Sequence, residues 1–332
     1  MRTESGLCVI TDIKPTLKCR LFYICKMKII FFLFSFLFLS ELIAQDTLLP
    51  MIFLDDVEIS EENNGFSVAD FIEYVKKDTT FYMGFKNLRY YTHNFSSELN
   101  IFNKKDITIG TLKKSGLHFS NGKEAWIELD SIFDSGKIFK RNGDYKFYTP
   151  EAFDEVFFPS DTLTVDLVIS KSDQTDKESQ NLRDAKTVGF TIGTADVEQK
   201  KGGMSKRLAV FDVDMQKYYD YTIGEIIYND RECYTFSIKN KENLSDKDIN
   251  KALIRNILSY FDKENFNVIY REYKFVYNSW LISLDMDIKV KMDYVNNKHV
   301  PTDISYRGFW DVMFFKPERA SFKLLNSNFI VN

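Results

Sequence analysis

The chain has 332 residues, of which 44% are hydrophobic and 28% are charged, and its formal net charge is −4. This length fits one large or two small globular units, and the composition excludes a disordered tail and a multi-span membrane protein. With 31 Phe, 18 Tyr and 3 Trp against 14 Gly and 6 Pro, we expect a large packed interior.

The first element in chain order has the layout of a secretory signal peptide. Lys28 supplies a basic start, an apolar run from Ile29 to Leu39 follows, and the small residue Ala44 precedes polar Gln45. This run is too short for a membrane-spanning helix, which needs about 20 apolar residues. A membrane anchor that is never cleaved is the alternative interpretation.

Cleavage near Ala44 fixes the predicted organisation and changes the composition. It removes Cys8, Cys19 and Cys25 and leaves Cys233, which excludes an intramolecular disulfide and a zinc-thiolate cluster. It also leaves 38 basic and 45 acidic residues, so we expect no nucleic-acid partner. The predicted divisions are an upstream extension at 1–26 that is not native, a signal peptide at 27–44 and a single periplasmic or secreted domain at 45–332.

The N-terminal part of the mature chain predicts one helix followed by an antiparallel meander. Ser67 and Asp70 have the spacing of a capping box, and an apolar stripe with helical period follows them. From Leu88 to Phe147, turn signals recur every 6 to 20 residues. These signals are Asn103-Lys104, Ser115-Gly116, Asn121-Gly122, Ser135-Gly136 and Asn142-Gly143. Polar stretches near 171–186 and 198–206 predict loops.

The C-terminal part predicts long strands with one polar face. Apolar and charged residues alternate from Leu284 to Tyr294, which places all the charges on one side of a strand. Asn229-Asp230 and Asn296-Asn297 predict tight hairpin turns. Between them, a capping box at Ser245 precedes Ile249, Leu253, Ile254, Ile257 and Leu258, the apolar stripe of a predicted helix.

Together these elements predict a mainly β (α+β) fold. The expected architecture is a large curved antiparallel sheet, or half-barrel, covered on its apolar side by two or three helices. A parallel α/β fold would need helices that alternate with the strands, and this pattern does not occur.

No motif in the mature chain indicates catalysis, a metal ion or a cofactor. His93, His118 and His299 are isolated in the sequence, and Cys233 lies on a predicted strand, where an inert thiol is expected. The pairs Asp212/Asp214 and Asp285/Asp287 lack the glycine and distal glutamate of a calcium loop. We therefore predict no enzyme activity, although hydrolysis by a pair of carboxylates stays open.

Apolar surface is the remaining candidate for function. A curved sheet whose concave side is incompletely filled offers a groove for acyl chains. The predicted ligand-binding residues are Tyr234, Phe236, Met286, Ile288 and Met292, with the methionines suited to irregular guests. The alternative is that all five belong to an ordinary core beneath the helices.

The C-terminal segments also resemble a known group of proteins. The hairpin strand that contains Glu232-Cys233-Tyr234-Thr235-Phe236, the segment Tyr260 to Phe266 and the long strands after it resemble periplasmic lipoprotein carriers of the LolA/LppX type. The resemblance spans at most Phe211 to Phe329. It implies a half-closed antiparallel barrel that carries acylated or other hydrophobic ligands between membranes.

The sequence thus supports two main hypotheses of different classes. The first is a non-catalytic exported envelope protein that binds a lipid or acylated ligand in a half-barrel groove. The second is an interaction protein that docks onto an outer-membrane protein partner through a sheet edge or its polar face. Leu54 to Ser60 bears on the second, because it resembles the acidic-hydrophobic segment near the mature N terminus of TonB-dependent receptors.

Overall fold

Eleven strands form one antiparallel sheet in the computed structural model, which describes residues 68–78, 80–136, 138–165, 207–280, 282–313 and 316–330. The strands are β1 (Thr92–Phe102), β2 (Thr108–Ser120), β3 (Glu124–Gly136), β4 (Leu163–Thr164), β5 (Tyr219–Tyr228), β6 (Arg231–Asn240), β7 (Ile254–Asp262), β8 (Val268–Asn278), β9 (Ile282–Val295), β10 (Lys298–Val312) and β11 (Glu318–Ile330). The helices are α1 (Val68–Lys77), α2 (Thr80–Leu88), α3 (Tyr148–Phe157), α4 (Val213–Gln216) and α5 (Asp246–Ile249).

The strand order is β4-β3-β2-β1-β11-β10-β9-β8-β7-β6-β5. Two meanders therefore meet where the first strand pairs with the last, and β4 and β5 lie at opposite ends of an open, curved sheet. One face of the sheet forms a continuous apolar core against α1, α3 and the segment that carries α4, and α2 packs against β10. The predicted fold class is confirmed, since every strand pair is antiparallel.

The hairpin turns of the C-terminal meander follow the sequence signals. Asn229 and Asp230 have φ of 50° and 60°, and Asn296 and Asn297 have φ of 47° and 62°. Asn and Asp tolerate this left-handed conformation, which a two-residue turn needs to match the twist of its strands. Both predicted hairpins are confirmed, because these turns join β5 to β6 and β9 to β10.

The alternating pattern of β9 also folds as predicted. Its apolar residues are buried on the face beneath the helices, whereas the intervening charges are at least partly exposed. Asp285 and Asp287 pair with Lys274 on β8, at 3.5 and 3.3 Å from its Nζ. The alternation of apolar and charged residues in the sequence thus gives β9 one buried face and one solvent-exposed face.

The prediction of a helix after Ser245 is wrong beyond the first turn. The Ser245 hydroxyl does accept a hydrogen bond from the Asp248 amide (3.2 Å), but α5 ends at Ile249. A register shift near the start of β7 lets both Ile254 and Ile257 point into the core. Their spacing of three, which imitates a helix, is therefore produced by a β-bulge.

The meander of the N-terminal part is confirmed, although two of the five turn signals fall inside strands, one of them Ser135-Gly136 at the end of β3. Gly122 and Gly143 have φ of 83° and 90° in the turns predicted around them. Ser115-Gly116 instead lies inside β2, where the register with β3 shifts. Gly116 is required at this position because a Cβ there would collide with the Glu128 carbonyl oxygen.

Several predictions lie wholly or partly outside the described residues. These are the upstream extension, the signal peptide, the loops near 171–186 and 198–206, and the segment Leu54–Ser60. The described residues belong to one compact unit, Glu61–Asn332. Among them, no helix has the length and hydropathy needed to cross a bilayer.

Two stacked histidines, His93 buried and His118 half-buried, lie where β1 begins and β2 ends. The rings of His93 on β1 and His118 on β2 stack at 4.6 Å, and His93 also stacks on Phe329 at 5.1 Å. Nδ1 of each histidine hydrogen-bonds the Tyr91 carbonyl oxygen, so Nδ1 carries the proton in both rings. Burial and the neighbouring His118 lower the pKa of His93 to about 3, so the ring stays neutral in the folded protein.

We expect the folded state to lose stability as the pH falls from about 6.5 towards 3. His93 binds a proton below pH 6.5 only when the chain unfolds, so this residue lowers the free energy of unfolding by about 1.4 kcal/mol per pH unit in that range. Urea titrations at several pH values measure the slope. His93→Phe, which keeps a stacked ring, should show a shallower slope, and an unchanged slope would contradict the assignment.

Candidate functional site

The five predicted ligand-binding residues lie together on the face of the sheet beneath the helices. Four of them, Phe236, Met286, Ile288 and Met292, are at most 4% exposed, and Tyr234 is half-buried. All five belong to or pack against one hydrophobic cluster. A ligand that reached them would therefore replace side chains that now cover them.

Helix α1 covers the β6–β7 part of this face with one aromatic side chain. The Phe71 ring lies 5.2 Å from that of Phe236 and 5.4 Å from that of Phe261. Tyr234 stacks on Phe266 at 5.6 Å at the margin of the same group. Helix α1 also makes a polar contact, since the Tyr74 hydroxyl donates to the Phe266 carbonyl oxygen at 3.4 Å.

Helix α2 approaches the sheet more closely. A Cβ at Gly84 would collide with the Met292 methyl group, so glycine allows the helix to rest on β9 and β10. The Asn87 amide donates to the His299 carbonyl oxygen at 2.9 Å. This hydrogen bond gives α2 a fixed position over Met292.

A buried guanidinium lies beneath α2. Arg271 is 3% exposed, its Nε donates to Ser259 Oγ (2.9 Å), and its guanidinium lies 4.3 Å from the centre of the Phe81 ring. Burial lowers the pKa of Arg271, and the nearby Asp78 carboxylate acts in the opposite direction. Sequence reasoning missed this residue, although it alternates with Ile269 and Tyr273 at an apolar position of β8.

A buried ammonium lies on the same face beneath α3. Lys114 Nζ on β2 lies 2.5 Å from Asp154 Oδ1 on α3 and 3.3 Å from the Tyr145 hydroxyl. Tyr145 in turn donates to the other oxygen of Asp154. Burial, and then the hydrogen bond to Asp154, raise the pKa of Tyr145, so its hydroxyl stays protonated.

The N terminus of α3 is capped by the sheet. Phe147 precedes the helix and has no polar side chain, so Glu318 on β11 supplies the acceptors instead. Its carboxylate accepts from the backbone amides of Tyr148 (2.7 Å) and Thr149 (2.9 Å). Helix α3 is thus held by two carboxylates, one on each side of the helix–sheet contact.

The groups considered for catalysis are dispersed or inert in the described part of the chain. Burial is the main cause of the raised pKa of the Cys233 thiol, which is the opposite of what a nucleophile needs. No group of three or more His, Cys, Asp or Glu side chains among the described residues could hold a metal ion. Asp285 and Asp287 share Lys274 rather than converging on a substrate-sized cleft.

A shallow pocket lies on the polar face around this ion pair. Its volume is about 150 Å³, and its lining includes the acids Asp106, Asp285 and Asp287 and the basic residues Lys274, Arg307 and Arg319. The guanidinium of Arg307 also lies 3.9 Å from Asp106. Because basic and acidic groups alternate and already face one another, the pocket presents no net charge to a ligand.

Comparisons with known proteins give structural neighbours only. No protein-family model matches the chain, and no curated protein matches it. A DUF1329 family protein from Desulfovibrio piger is similar over 80% of this chain and 90% of its own, with 12% identity and a TM-score of 0.22. A putative outer membrane lipoprotein-sorting protein domain from Vibrio parahaemolyticus is similar over 79% and 90%, with 7% identity and a TM-score of 0.24.

A third neighbour is a LolA superfamily protein from Nitrosomonas europaea, similar over 77% of this chain and 94% of its own, with 9% identity and a TM-score of 0.23. The three similarities cover 77–80% of this chain, which is more than the segment Phe211–Phe329. With TM-scores this low, any assignment of function rests on the geometry of the chain itself.

Proposed function

We propose that the chain is a non-catalytic envelope protein that binds a hydrophobic or lipid-like ligand between its sheet and its helices. The observation that carries this proposal is the way the apolar face is covered. In the described part of the chain, separate short helices rather than a second sheet lie over it, and polar contacts join them to the sheet, at Asn87 for α2 and at Asp154 and Glu318 for α3.

The exchange of a helix for a ligand has opposing contributions to the free energy. Removing apolar surface from water contributes about 25 cal/mol per Å², but a ligand that replaces a helix leaves the sheet face dry in both states. The cost of opening is therefore the exposure of apolar residues on the displaced helix, such as Phe71 or Phe153, and burial of the ligand must offset it. Tyr234, Phe236, Met286, Ile288 and Met292 are the residues that we propose line the opened site.

The proposed location follows from the sequence. We propose that 27–44 are a signal peptide cleaved near Ala44 and that the mature protein is one periplasmic or secreted domain over 45–332. An envelope location suits a carrier, because hydrophobic molecules that cross the aqueous space between membranes need their apolar parts shielded from water.

A second candidate function is docking onto an outer-membrane protein partner through β3. In the described part of the chain, the outer edge of this strand pairs only at Glu124 and Ala125, with β4. Beyond them Leu129, Ile132 and Phe133 are 43%, 55% and 55% exposed. The strand carries four acids and no basic residue. Its partner would be an extended segment with basic side chains.

The carrier function predicts that the protein purified from the envelope of its host holds lipid. Native mass spectrometry should show a bound species that is lost after delipidation, and the delipidated protein should then bind a neutral fluorescent apolar probe. Met292→Gln should weaken probe binding about tenfold, because it places an amide in the apolar site.

Met83→Gln is the matched control for this experiment, because Met83 is on α2 but 40% exposed. It should leave the affinity for the probe unchanged. Protein that carries no lipid from its host and binds no probe would defeat the carrier proposal.

The docking function predicts a different result in intact cells. A photo-crosslinking residue at Phe133 should capture one envelope protein, whereas the same residue at Trp280, which is 81% exposed away from β3, should not. A stable adduct at Phe133 together with no bound lipid would favour docking over the carrier function. Equal capture at both positions would contradict docking through β3.

A further inference from the structure

Lys114 is a cation placed on an apolar surface by the register of β2. Its side chain is 7% exposed, whereas that of the preceding Lys113 is 50% exposed on the opposite face and pairs with Glu98 at 2.8 Å. The residues directly opposite Lys114 on the neighbouring strands are Ser97 and Ile132, and neither carries charge. The sheet therefore places an ammonium here without supplying an adjacent counter-charge.

The counter-charge comes from the covering helix. Asp154 on α3 lies 2.5 Å from Lys114 Nζ. Arg271 under α2 differs from Lys114, since its Nε donates to Ser259 on the sheet, and the Asp78 carboxylate just before that helix favours its charged form. When a covering helix moves away, its acid leaves with it, and the cation remains on the sheet.

A lysine that a bound ligand covers without supplying a partner is costly, because it has lost both its water and its counter-ion. A neutral apolar ligand would not remove this cost. A ligand with an anionic headgroup would, because charge-assisted hydrogen bonds to Lys114 would replace those of Asp154. The charge of the sheet thus selects among hydrophobic ligands.

We propose that the site beneath α3 binds an amphiphile with an acyl chain and an anionic headgroup, and that Lys114 holds the headgroup in place of Asp154. This inference rests on the proposed carrier function. Ile132 is 55% exposed at the edge, whereas Leu324, on the far side of Ser97, is 3% exposed. The headgroup therefore lies towards the edge of the sheet, and the acyl chain of the ligand runs inward over buried apolar side chains.

Three probes that share a dodecyl group test the proposal. They are dodecyl phosphate, dodecanol and dodecyltrimethylammonium, each below its critical micelle concentration. The affinity of each is measured by its competition with a neutral fluorescent apolar probe for the delipidated full-length mature protein. We expect dodecyl phosphate to bind at least about tenfold more tightly than dodecanol and the cationic probe to bind most weakly.

Lys114→Met should reduce the preference for dodecyl phosphate over dodecanol to within about twofold while dodecanol still binds, which shows that the variant is folded. Lys113→Met, the neighbouring cation on the other face, should keep the full preference. Asp154→Asn should tighten dodecyl phosphate binding, because it frees Lys114 and loosens α3.

The outcomes separate this inference from the proposed function. If none of the probes binds, the carrier function itself fails. If dodecanol and dodecyl phosphate bind equally well, or if Lys113→Met abolishes the preference as Lys114→Met does, the anionic specificity is overturned while the carrier function stands.

Discussion

The need to cover one apolar face of a large open sheet governs this structure. An antiparallel sheet with one wet face must bury the other against a second layer, and in the described part of the chain that layer consists of helices. Leu284, Met286 and Ile288 on β9 show the consequence, since they are buried only because α1 to α3 and the α4 segment close over the sheet. The positions of the helices, the buried charges and the candidate site all follow from this constraint.

Polar contacts give the covering layer its specificity. Apolar packing such as that of Phe71 on Phe236 would tolerate many helix positions, whereas a carboxylate that must meet a buried cation tolerates one. Asp154 and Glu318 therefore fix α3 over β2 and β11, and Asn87 fixes α2 over β10. Such contacts are directional, and another anion or hydrogen-bond donor of the right shape can replace them. A cover held in this way is compatible with a site that opens.

The sequence predicted the sheet well because its signals are local. Asn229-Asp230 and Asn296-Asn297 favour the left-handed backbone conformation of a tight turn. The alternation in β9 determines which of its side chains are buried. The start of β7 was misassigned because a bulge in it gave buried residues a helical spacing. The position of a bulge depends on how neighbouring strands pair, and the sequence of one strand does not specify that pairing.

The buried cations show the same limit. Lys113-Lys114 is an unremarkable pair in the sequence, and only the pairing of β2 with β1 and β3 decides which lysine faces the core. The partners Asp154 and Glu318 lie 40 and 169 residues from the groups that they contact. Alternation predicts which residues share a face within β6 or within β9, whereas the helices that cover the five predicted ligand-binding residues follow from tertiary packing.

The pairing of β1 with β11 has a consequence for how the chain is made. Leu99 and Phe322 are partners across this junction although about 220 residues separate them, whereas the other pairings join strands that are consecutive in the chain. Each meander joins strands that are close in sequence, but the two halves join only when the last strand emerges. A chain exported through a narrow channel would thus reach the far side before its longest-range contact forms, which leaves time for translocation in an unfolded state.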